Sequence, residues 1–76
     1  MEERLKNIFS DIFEVESSEI NEMSSAVNIE RWDSLNHTNL VVALEEEFNV
    51  SFSPEEIIEM LNFKLIKIIL EDKLGD

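Results

Sequence analysis

Seventy-six residues, 43% of them hydrophobic, are enough for one domain and too few for a second core. The chain has no cysteine, which excludes disulfide staples and thiolate-bound metal. Eighteen acids against six bases leave a net charge of −12, a surface that repels nucleic acid and anionic lipid. Apolar runs are only a few residues long, far short of a membrane span, and the opening Met1-Glu2-Glu3-Arg4 lacks the basic-then-apolar order of a signal peptide. A soluble, cytoplasmic, monomeric domain over residues 1–76 is expected.

The acids are unevenly spread. From Asp33 to Asn62 there are seven (Asp33, Glu45, Glu46, Glu47, Glu55, Glu56 and Glu59) and no Lys or Arg. A one-signed segment of this kind is ordinarily a solvated face. It also steers partners that carry a basic patch.

Leu5, Ile8, Phe9, Ile12 and Phe13 recur at helical spacing and predict a first amphipathic helix over about 2–14. Residues 15–32 hold no period. Ile20, Met23, Val27, Ile29 and Trp32 lie irregularly among Ser, Asn and Glu, which reads as a long loop pinned by apolar anchors. A second helix is predicted over 33–48, with Asn49 as a left-handed stop. Val50-Ser51-Phe52-Ser53 alternates like a strand but has nothing to pair with. Ser53-Pro54-Glu55-Glu56 then reads as a capping box with proline at the first helical position, starting a short third helix over 54–61 through Ile57, Ile58 and Leu61. A fourth over 64–73 presents Leu65, Ile66, Ile69 and Leu70. The fold class is all-α: a four-helix bundle with one short helix and a long loop between helices one and two.

The second helix has two faces. At about 100° per residue, Leu40, Val41, Leu44 and Phe48 share one stripe and belong to the core. Leu35, Thr38, Val42, Glu45 and Glu46 fall opposite, so two apolar residues are followed one turn later by carboxylates. Isolated exposed Leu and Val are ordinary on protein surfaces. Their alignment below Ser34 is what marks this face as a docking patch.

With Asp33 as N-cap, Ser34 takes the first helical position, beside free backbone N–H groups and the positive end of the helix dipole. That setting favours an anionic phosphodiester on its hydroxyl. The Asp33-Ser34-Leu35 tripeptide, the long preceding loop, Leu44-Glu45-Glu46-Glu47-Phe48 and the later Pro54-Glu55-Glu56 together resemble the acyl carrier proteins, from helix one through Leu70. The resemblance implies a 4′-phosphopantetheine arm on Ser34, passed from coenzyme A by a phosphopantetheinyl transferase. It implies acyl or aminoacyl cargo held on the arm as a thioester, with no catalysis by the carrier. It further implies that Asp33 positions the transferase, and that Leu35, Val42, Glu45 and Glu46 meet loading and unloading enzymes through their basic patches.

Several residues depart from the family pattern. Arg31 stands where many fatty-acid carriers have a small residue, Trp32 adjoins Asp33, and amides occupy positions 36 and 39 where acids are common. These features are closer to specialised carriers than to housekeeping ones. Trp32 reads as a loop anchor. His37, the only histidine, reads as hydrogen-bonded back to Asp33 at i, i+4. A sharper reading sets it at the mouth of the cleft a carried chain would enter, against long apolar cargo.

Rival classes are a small acidic helical interaction module without covalent modification, a calcium-responsive protein, and a Ser34–His37 hydrolase. The second lacks any EF-hand loop, and Glu45, Glu46 and Glu47 point three ways around a helix. The third lacks an oxyanion hole.

Overall fold

The computed structural model describes residues 1–75. Four helices follow in chain order: α1 (Glu2–Phe13), α2 (Ser34–Phe48), α3 (Pro54–Glu59) and α4 (Phe63–Leu74), with a single 3₁₀ turn at Ser17–Glu19. The all-α expectation holds, and no strand is formed among the described residues. Val50–Ser53 is a connection whose Phe52 is buried. No described helix is long and apolar enough to cross a membrane.

Each helix end has a local cause. Glu14, in the left-handed region at φ 53°, ends α1 one residue before the expected boundary. Asp33 caps α2 by accepting the Asn36 N–H, and Asn49 at φ 54° stops it as expected. Ser53 and Glu56 form a reciprocal capping box with Pro54 inside the start of α3. Asn62 caps α4 through Leu65, and Gly75 at φ 78° ends it. The first free N–H groups of α4 are satisfied from the loop: Phe63 donates to the Ser24 carbonyl at 2.9 Å and Lys64 to that of Glu22 at 3.4 Å.

α2 starts at Ser34 and α4 ends at Leu74, each one residue later than expected, and the two boundaries around Met60 also differ from the sequence reading. α3 ends at Glu59 rather than 61, and α4 starts at Phe63 rather than 64. The cause is packing: Met60 and Phe63 are each 1% exposed, while Leu61 between them is 65% exposed. The turn that buries Met60 and Phe63 throws Leu61 outward.

Phe9 is the centre of the core, meeting Phe13 at 5.5 Å, Trp32 at 5.5 Å and Phe63 at 5.0 Å between ring centroids, each edge to face. Around it the expected stripes are buried: Leu5 and Phe13 of α1, and Leu40, Val41, Leu44 and Phe48 of α2. Truncating Phe9 to alanine costs about 3–5 kcal/mol, against a total of roughly 4–11 kcal/mol for a domain of this length. The long loop is pinned by three of its five expected anchors. Ile20, Ile29 and Trp32 are buried, but Met23 and Val27 are exposed. Side chains hold the backbone there instead: Asn21 Oδ1 accepts the Met23 N–H, and the Asn28 amide donates to the Met23 carbonyl.

Candidate functional site

Ser34 lies exposed at the first position of α2. Asp33 Oδ1 takes the Asn36 N–H at 2.8 Å, and the Asp33 carbonyl takes that of His37 at 2.8 Å. The N–H groups of Ser34 and Leu35 are the remaining donors of this turn, next to the serine hydroxyl. An anion attached to that hydroxyl would lie beside both donors and the positive helix end. The donor set therefore fits a phosphodiester.

Ser34 and Asp33 stand on the rim of a cleft of about 490 Å³ between the start of α2 and α3. Trp32, His37, Ile57 and Met60 line its base, and Ile58 and Leu61 its far side. The last two are 74% and 65% exposed, so the cleft has a wet, apolar flank.

His37 departs from its expected partner. Only its backbone N–H bonds to Asp33; the ring bridges Trp32 and α3. Trp32 Nε1 donates to His37 Nδ1 at 3.0 Å, and His37 Nε2 lies 3.1 Å from the Ile57 carbonyl. The Asp33 carboxylate is turned to the Asn36 N–H as the helix cap, and the His37 ring is turned to Trp32 and Ile57. With both ring nitrogens committed, His37 is no general base for Ser34. Trp32 anchors the loop as expected, stacked on Phe13 at 4.8 Å, and it also forms part of the cleft base.

On the outer face of α2, Leu35 is 71% and Val42 47% exposed, in line below Ser34. The three consecutive glutamates have separate roles. Glu45 turns inward and accepts the Phe52 N–H at 2.9 Å. Glu47 pairs with Arg4 at 2.6 Å. Glu46 is exposed and faces solvent. Two of the three are therefore committed within the protein, which periodicity does not reveal.

Asn36 is also structural. Its amide donates to the Arg31 carbonyl at 2.7 Å, and its oxygen accepts from Asn39 at 3.2 Å, tying the loop end to α2. Arg31 itself pairs with Glu14 at 2.8 Å.

The family model for the phosphopantetheine attachment site matches residues 3–63. An acyl carrier protein of Coprothermobacter proteolyticus is 35% identical over 95% of this chain and 88% of its own length. Another, of Solidesulfovibrio magneticus, is 32% identical over 97% of this chain and 95% of its own. The solution structure of holo acyl carrier protein from Geobacter metallireducens superposes with a TM-score of 0.87 at 31% identity, covering 97% of this chain and 85% of the other. The chain belongs to the acyl carrier protein family, and its cofactor is covalent 4′-phosphopantetheine.

Proposed function

We propose that Ser34 is the attachment residue and that the chain presents acyl or aminoacyl groups, as thioesters, to enzymes of a specialised pathway. The observation that carries this reading is the exposed Ser34 hydroxyl beside the two open N–H groups that begin α2. In the loading step Ser34 Oγ bonds to the pantetheine-side phosphorus of coenzyme A. The pyrophosphate bond breaks, adenosine bisphosphate leaves, and the hydroxyl proton passes to a base of the transferase. Once attached, the arm supplies the thiol that this cysteine-free chain lacks. Ser34 N–H and Leu35 N–H are the groups that would hold the phosphodiester, and Asp33 keeps the turn in shape by capping Asn36.

Leu35 and Val42 supply the apolar centre of a partner face, with Glu46 as its free charge. Enzymes with basic patches, the transferase among them, are the partners that fit, in a cytoplasmic setting. Glu45 contributes charge from a fixed position because it is held by Phe52.

Intact mass after incubation with a broad-specificity transferase and coenzyme A tests the assignment. Wild type gains one phosphopantetheine and Ser34→Ala gains none. A gain that persists in the mutant overturns the assignment to Ser34 and places the arm on another residue; none in wild type overturns it and favours an unmodified acidic interaction module.

A further inference from the structure

The Trp32–His37 contact has a defined direction. An indole nitrogen only donates, so His37 Nδ1 is the acceptor at 3.0 Å and the neutral ring's proton sits on Nε2, aimed at the Ile57 carbonyl 3.1 Å away. The two rings lie within 19° of parallel. Together they form a polar bridge from the end of the long loop to α3, across the base of the Ser34 cleft. Behind the bridge are packed rings: Trp32 is stacked on Phe13 and meets Phe9 edge-on. Met60 closes the base beside them at 1% exposure.

We infer that the Trp32–His37–Ile57 bridge is a specificity determinant that closes the base of the cleft and restricts cargo to short or polar acyl groups kept at the protein surface. The inference rests on Ser34 being the attachment residue. The cleft volume of about 490 Å³ by itself admits a longer chain; the floor is what stops it. A hydrocarbon can be enclosed among the packed rings, rather than laid along the open cleft, only if the bridge opens. That strands the indole N–H, the imidazole and the Ile57 carbonyl beside an alkyl chain, and unpicks Trp32 from Phe13. Each methylene gains burial only after that cost has been met. A group of a few carbons rests on the exposed flanks of Ile58 and Leu61 and leaves the bridge intact.

The test loads wild type, His37→Ala and His37→Gln with coenzyme A derivatives bearing acetyl, butyryl or octanoyl groups, joined by an amide in place of the thioester so that they survive heating. Intact mass reads loading, and melting temperature and Trp32 emission read burial. Wild type is expected to melt at one temperature and keep one emission maximum for all three groups. His37→Ala, with the floor opened, is expected to melt about 3 °C or more higher for each methylene withdrawn from water, with its emission shifted. His37→Gln, whose amide can accept from the indole and donate to Ile57, returns the flat profile. A wild-type melting temperature that climbs from acetyl to octanoyl overturns the inference, as does a flat profile in folded His37→Ala. If His37→Ala does not fold, the ring-nitrogen NMR shifts of wild-type His37 decide. Shifts unchanged by octanoyl support the closed floor, and shifts that move with it overturn it. Failure to load wild type at all overturns the attachment reading, and this inference with it.

Discussion

Arg4 in the first turn of α1 clasps Glu47 in the last turn of α2. Its Nη2 lies 2.6 Å from the Glu47 carboxylate and 3.0 Å from the Glu47 backbone carbonyl, while Nε donates to the same carboxylate at 3.0 Å. The guanidinium also sits 4.6 Å from the centre of the Phe48 ring. One side chain thus neutralises an acid, satisfies a carbonyl at the negative end of a helix, and covers an aromatic face. It joins the start of α1 to the end of α2, two helices that bury Leu5, Phe9, Phe13, Leu40, Val41, Leu44 and Phe48.

Arg4→Ala is expected to cost about 1–2 kcal/mol, read from urea unfolding at fixed salt. The exposed ion pair itself contributes only about 0–1 kcal/mol, and the cation–π and helix-end contacts supply the rest. Arg4→Lys should recover little, because an ammonium lacks the planar fork. Glu47→Gln should cost about 0.5 kcal/mol, since the backbone and ring contacts survive.

Neighbouring glutamates should behave oppositely. Glu45→Ala strands the part-buried Phe52 N–H and is expected to destabilise by about 1–3 kcal/mol. Glu46→Gln should leave stability within about 0.5 kcal/mol. It should slow encounter with a basic partner enzyme at low salt, an effect that added salt removes. Stopped-flow association alongside thermal melting separates the two.

Asn36 and Asn39 are not equivalent positions for restoring acidic charge. Asn36→Asp removes the donor to the Arg31 carbonyl and sets a carboxylate against it, at a cost of about 0.5–1.5 kcal/mol for this exposed bond. A favourable helix-dipole contribution of about 0.3–1 kcal/mol offsets part of this. Asn39→Asp gives up only a 3.2 Å exposed contact and should be tolerated. Melting temperatures of the two single variants check the order, and a larger loss for Asn39→Asp contradicts it.

The pH dependence follows from two lysine-paired acids. The hydrogen bond from Lys67 holds Glu2 below its usual 4.5, and that from Lys73, with the Ser53 N–H, does the same for Glu56. Groups with lowered pKa contribute stability above the unfolded value and lose it as pH falls through the folded one. The melting-temperature gap between wild type and Glu2→Gln or Glu56→Gln should be full at neutral pH and close below pH 4.5. Lys67 is raised above 10.5 by Glu2, so its contribution is full below that value and is lost as pH rises through the folded one. The gap to Lys67→Met should therefore close in strong alkali.

The sequence by itself determined that there are four helices, where α2 stops and how α2 and α3 are capped. The α1 stripe, the two faces of α2, the Asp33 and Ser53 caps and the Asn49 stop are all written within one or two turns of chain, where spacing dictates which groups can meet. The exposed Ser34 at the start of α2 follows from the same local rules. Only the tertiary structure decided which apolar residues of the irregular segments are buried, choosing Ile20, Ile29 and Met60 over Met23, Val27 and Leu61. It also chose the partners of the polar side chains. His37 reaches Trp32 and the carbonyl of Ile57, 20 residues on, and Glu47 meets Arg4 across 43. Spacing along a chain states which face a side chain occupies. Which donor or acceptor waits there depends on how distant segments pack, and that is set by filling the core around Phe9.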